Sequence, residues 1–212
     1  PSGSVQILGL HIDVTDAVTE STWSLKQSNA SVQIDAKELT STWQGVLSQP
    51  GGGEGSLQGE TIVGWASETM MPITLKIDAD SLPISILSLA ARRFPESELP
   101  ASITGDLSGS ATVKMPSSGY PHVSLRKIEL RGLAAFDPSN GNRLWGNELT
   151  QLDGDWIWHP GQIVARQVSA KTDFASVALN GTFSDSISLA GAGSNPLAWL
   201  DRVDATADMH ID

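Results

Sequence analysis

Ile103-Thr104-Gly105-Asp106-Leu107-Ser108-Gly109-Ser110-Ala111-Thr112-Val113-Lys114-Met115 is the stretch from which the rest of the chain is read. Odd positions are apolar or glycine and even positions are polar, a period of two held over thirteen residues. That period belongs to a β-strand with one wet and one apolar face. At about 3.4 Å per residue the strand would run roughly 44 Å, far beyond the ordinary strand of about five or six residues. Gly105 and Gly109 favour a bent or curled sheet, because glycine inside a strand marks a bend or a close approach.

The same alternation recurs on both sides of this stretch. Upstream, Leu8, Leu10, Ile12 and Val14 alternate within 5–14, Val32, Ile34 and Ala36 follow Trp23, and a short strand is expected over 42–48. Residues 49–55, with Pro50 and four glycines, read as a hairpin loop, since no Gly-Lys-Ser/Thr and no helical run follow them to make a phosphate cradle. Strands are expected over 56–66 and 73–79. Downstream, 123–130 changes parity at Arg126-Lys127, which predicts a bulge or a break. Residues 136–142 read as a loop, 149–158 and 163–170 as strands around a Pro160-Gly161 turn, and Val177, Leu179, Gly181 and Phe183 alternate again.

Two short helices complete the expected fold. Asp80 or Ser81 would cap the first, Pro83 would sit in its first turn, Leu82, Ile86, Leu89 and Ala90 would share a face, and Arg92 and Arg93 would close it. The second is expected over 195–200, before a last strand over 205–212. Fold class is therefore mainly β: a long, curved antiparallel sheet with two short helices, in one elongated domain over 1–212. A weak internal repeat relates 1–116 to 117–212. Gly45-Val46-Leu47-Ser48 answers Gly181-Thr182-Phe183-Ser184, and Ser81-Leu82-Pro83-Ile84 answers Ser194-Asn195-Pro196-Leu197. A start at Pro1 and an end within a strand pattern lead us to expect an excerpt from a longer chain.

Composition narrows the function. With 24 acidic against 13 basic residues the net charge is −11, which repels polyphosphate, so nucleic acid is not an expected partner. The absence of cysteine removes disulfides and thiolate metal sites. No apolar run reaches the length of a membrane-spanning helix. His11, His122, His159 and His210 lack ligand spacing, so zinc is not expected. Asp153 and Asp155 around Gly154, with Asn147 and Glu148 upstream, offer hard oxygen donors without the spacing of a calcium loop, and an ordinary turn is preferred. Asp204, Asp208, His210 and Asp212 read as a solvated strand face. No Gly-x-Ser-x-Gly elbow occurs, so neither enzyme activity nor a metal or other cofactor is expected.

Leu107-Ser108-Gly109-Ser110-Ala111-Thr112-Val113 and Trp158-His159-Pro160-Gly161-Gln162-Ile163-Val164-Ala165 resemble strands of the AsmA/TamB group of bacterial envelope proteins, including its YhdP-like members. The resemblance implies a taco-shaped β-sheet with an apolar lining. It further implies a periplasmic location, a tether to the inner membrane outside this segment, and a role in moving or organising lipids. Lipid acyl chains and neighbouring segments of the same long chain are the partners it suggests. The membrane anchor and usual terminal domain of that group are not in this sequence.

Alternating apolar positions nominate Leu75, Ile77, Ile103, Leu107, Val113, Met115, Val177, Leu179 and Phe183 as lipid lining, since each buried methylene contributes about 0.8 kcal/mol. The same residues could equally form the dry core of a closed sandwich. Seven tryptophans against one tyrosine raise a rival, a glycan-binding β-sandwich using exposed Trp, with Trp145 beside a Gly/Asn-rich loop as the best candidate. A purely structural envelope scaffold is the third reading.

Overall fold

In a computed structural model of the chain, residues 2–16, 20–65, 71–86, 102–136, 140–184 and 203–211 are described. They form one eleven-stranded sheet whose spatial order is its sequence order. The strands are β1 (Gly3–Asp16), β2 (Ser21–Ile34), β3 (Glu38–Ser48), β4 (Glu54–Gly64), β5 (Ile73–Pro83), β6 (Ser102–Met115), β7 (His122–Phe136), β8 (Arg143–His159), β9 (Gln162–Lys171), β10 (Ala175–Ser184) and β11 (Val203–Ile211). Every pairing is antiparallel. A mainly β, antiparallel sheet is what the alternation called for; that it is an open sheet, with β1 and β11 as its edges, is given by the strand order.

The register shows how one-sided the sheet is. A single cross-strand row runs Val5, Val32, Ser41, Thr61, Leu75, Val113, Val123, Trp156, Ala165, Gly181, Ala205, one residue from each strand. One residue along, on the opposite face, the row reads Gln6, Ser31, Thr42, Glu60, Lys76, Thr112, Ser124, Asp155, Arg166. Successive side chains point to opposite faces, so the first row belongs to an apolar face and the second to a polar one.

Packing is thin. The chain exposes 13570 Å², against about 9400 Å² for a compact monomer of its mass. Among the described residues the buried apolar side chains are few: Trp23, Pro83, Ile84, Ile103, Ile128, and the alanines 134, 135 and 165. β3 and β5, next but one in the sheet, come within 8 Å of each other at their Cα atoms. Two interstrand spacings of a flat sheet would keep them roughly 9.5 Å apart.

A row of bulges crosses this sheet. Ser81, Lys127 and Gln167 take φ of 53°, 50° and 50°, and Gly9 takes 67°. At each the register against a neighbouring strand slips, so the parity change at Arg126-Lys127 is a bulge. Gln27 of β2 (φ 51°) and Gly132 of β7 (φ 61°) mark further register slips, but the four extra residues named first are accommodated alike. The backbone N–H of each donates to a side-chain oxygen of the following strand: Gly9 to Asn29 (3.0 Å), Ser81 to Ser108 (2.9 Å), Lys127 to Asp153 (2.9 Å) and Gln167 to Asn180 (2.6 Å). On the preceding strand the bulges at Ser81, Lys127 and Gln167 each meet a glycine. Gly55 faces Ser81, Gly109 faces Lys127, and Gly154 faces Val168 beside Gln167, and a Cβ at any of the three would collide with the bulged backbone. Bulges raise the local twist and bend of a strand.

The first expected helix does not begin where its capping signals placed it. Asp80 to Pro83 are the last residues of β5, and Ser81 is the bulge that carries Leu82 onto the apolar face opposite Leu107. Burying Leu82 there prevails over the local capping preference. Residues 87–101 and the second expected helix, 195–200, lie outside the described residues, and no helix is part of the described fold. β2 is one strand from Ser21 onward, and β8 starts at Arg143, earlier than alternation suggested.

Candidate functional site

The apolar face is the candidate site, and each strand contributes to it through its odd-numbered or bulge-shifted positions. Of the nine nominated lining residues, Leu75 and Val113 are direct partners. Ile77 pairs with Ala111 and Met115 with Ile73, while Leu107 lies between Leu82 and Leu130. Val177 lies between Ala170 and Met209, and Leu179 between Val168 and Ala207. The backbone of Phe183 pairs with Ile163 and Val203, and its side chain is outside the described set. The register thus gathers the nominated positions on one face, in two groups: β5–β6, and β10 four strands away.

Exposure divides them. Ile103 is 8% exposed and pairs with the fully buried Ala135, so it belongs to the small packed region at the ends of β6 and β7. Leu75, Ile77, Leu107, Val113, Val177 and Leu179 are half-buried, and Met115 is exposed. Apolar side chains of β1, including Val5 and Val14, are exposed as well. An apolar recess of about 200 Å³ opens on this face between β1 and β4, lined among others by Ile7, Leu10, Leu25, Trp43 and Leu57. The indole of Trp43 lies over Gly59, where any side chain would displace it.

The polar face holds an ionic cluster that sequence reading missed. Arg126 grips both oxygens of Asp155 at 2.9 and 2.8 Å. Ser124 Oγ donates to Asp155 Oδ1, and His122 Nε2 stands 3.2 Å from that same oxygen and 3.3 Å from Ser124 Oγ. Partial burial pushes the Asp155 carboxyl up, but the Ser124 hydroxyl, the Arg126 guanidinium and His122 outweigh it and hold it below the usual carboxylate range. Serine, histidine and aspartate together invite comparison with a nucleophile triad. A triad needs serine and carboxylate on opposite ring nitrogens. Here both meet Nε2 and the serine donates to the carboxylate, so the arrangement cradles an anion instead of activating a hydroxyl.

The Asp153-Gly154-Asp155 stretch is neither a turn nor an ion loop. It lies within β8, with Asp153 capping Lys127 and Asp155 bound to Arg126. Among the described residues no group of three metal-binding side chains comes together. His11 pairs with Asp13 at 2.9 Å, and His159 packs against Tyr120 with ring centroids 4.3 Å apart. Trp145, the glycan candidate, is 48% exposed opposite Ala135. A signal for the bulge caps was present in Ser108-Gly109, Asp153-Gly154 and Asn180-Gly181, each a small polar residue before glycine.

Compared with known proteins, the chain matches no family model, no curated protein and no solved structure.

Proposed function

We propose that this chain is a non-enzymatic segment of an AsmA/TamB/YhdP-like envelope protein, in which the sheet curves into a groove and its apolar face shields or guides lipid acyl chains. On this reading it lies in the periplasm, tethered to the inner membrane by a segment outside it, and serves lipid transport in outer-membrane biogenesis. One observation carries the proposal: one face of the sheet carries apolar side chains on strand after strand, and there Leu75, Leu107, Val113 and Val177 stay half-buried while Val5 and Met115 are exposed. A large exposed apolar surface marks an interaction site, and an acyl chain asks only for continuous apolar contact.

The test is native mass spectrometry of the protein purified from a Gram-negative envelope. Co-purifying phospholipid is expected, with Leu107→Asp lowering it at least tenfold and Thr112→Asp, on the polar face, leaving it unchanged. Urea unfolding of both variants keeps the result interpretable: global unfolding by Leu107→Asp would favour the closed-core reading. A second reading, glycan binding, draws support from the exposed Trp145. Absence of lipid together with an emission shift on adding oligosaccharide, lost in Trp145→Ala, would replace our proposal. Absence of both would leave a structural scaffold.

A further inference from the structure

The apolar recess between β1 and β4 lies where two bulges meet. Gly9 of β1 and Gln27 of β2 take φ of 67° and 51°, and the β1–β2 and β2–β3 registers slip beside them. The slip sets Ser28 opposite Leu10, on the apolar face, where only 7% of it is exposed. One cross-strand row here reads Ile7, Ala30, Trp43, Gly59, Ile77. The indole of Trp43 lies over Gly59, on the side away from Ala30. A short side chain thus stands between Ile7 and Trp43, and the space above it stays open. Gly45 keeps the neighbouring position equally small, since a Cβ there would come 2.8 Å from Ser28 Oγ and 2.9 Å from Leu25 Cδ1.

Volume and lining select the occupant. An apolar cavity of about 150 Å³ stays dry and takes up benzene. The recess measures about 200 Å³, which holds roughly six to eight carbons of an alkyl chain. Among the described residues that line it, none is charged. A carboxylate or phosphate placed there would lose its hydration without gaining a partner. Ser28 offers it nothing, because its hydroxyl turns to the carbonyl of Lys26 at 3.5 Å.

We propose that this recess is a socket for the methyl end of one unbranched acyl chain. Trp43 is its wall, and the rest of the chain passes over the indole toward Ile77 and Leu75, leaving the polar head on the β5–β6 side. The inference rests on the lipid reading of the apolar face and adds a fixed, end-on orientation to it.

Hexadecanoic acids brominated at carbon 16 or at carbon 2 provide the test, because bromine is close to a methyl group in size and quenches indole emission on contact. Each is titrated into the full chain, with bound acid counted separately by equilibrium dialysis. At equal occupancy the 16-bromo acid is expected to quench at least twice as much as the 2-bromo acid, the excess being lost in Trp43→Phe. Ala30→Leu, which fills the gap beside Trp43, should also remove the excess while the acid bound stays within twofold. The comparison of the two acids is made on the unaltered chain, so it stands even where a variant folds poorly. Equal quenching by both acids, or an excess that survives either substitution, would overturn the socket and leave the lipid reading in place. Failure of both acids to bind would remove the lipid reading and the socket together.

Discussion

A Cβ placed on Gly109 would stand 2.6 Å from the carbonyl oxygen of Lys127, inside the distance that any packed pair tolerates. Gly109 also holds φ at +131°, a conformation that L residues rarely adopt. Gly109→Val therefore combines backbone strain with overpacking, and about 3–5 kcal/mol of destabilisation is expected from urea unfolding. Gly3→Ala is the matched control, because nothing lies within 4 Å of its Cβ position, and it should stay within about 0.5 kcal/mol of the parent.

Asp153 gives up its acceptor in Asp153→Ala, leaving the N–H of Lys127 to solvent. A loss of about 1 kcal/mol is expected, with Asp153→Asn restoring most of it because the amide oxygen can accept in the same place. Lys127→Gly tests the same bulge from the other side. At φ 50° relief of the left-handed strain should stabilise the fold by roughly 0.5–1 kcal/mol, net of glycine's greater entropy. Chemical denaturation of the three variants checks both signs.

Asp155 links stability to pH. Its folded carboxyl is held below the usual range, so its contribution is full above the unfolded value of about 3.9 and is lost as pH falls through the folded value. Asp155→Asn should be less stable than the parent at neutral pH, and the gap should close as pH drops below about 4. Thermal melts at pH 7 and pH 3 measure it. A gap that widens on acidification would contradict the assignment.

Trp23 and Trp145 make opposite predictions. Trp23 is 6% exposed, in register with Val14, and Trp23→Ala should cost about 3–5 kcal/mol. Trp145 is 48% exposed, and Trp145→Ala should change stability by no more than about 0.5 kcal/mol. Acrylamide quenching of single-Trp variants should follow the same order.

Alternation made the strands legible wherever one face stays apolar over many residues, as in Ile103 to Met115 and Val177 to Phe183. It failed where geometry interrupts it. Ser81-Leu82-Pro83 carries strong helix-start chemistry, yet a bulge lets the strand continue and puts Leu82 against Leu107. Arg143 to Leu149 places Leu144 and Trp145 side by side in solvent, so its pattern gave no strand signal. The ionic cluster of His122, Ser124, Arg126 and Asp155 depends on the register between β7 and β8, which a strand's own sequence does not state. The face shared by the lining candidates was legible because period two carries sidedness. Their separation into two groups was not, because it depends on strand order.

Strand order matching sequence order has a mechanical meaning. Each strand is held by the strands before and after it in the chain, so tension applied between β1 and β11 loads the interstrand hydrogen bonds one after another instead of shearing many together. Pulled from its ends, the sheet would peel strand by strand in a sawtooth of small, similar force peaks. Refolding should be correspondingly local, each hairpin re-forming on its neighbour without long-range loop closure.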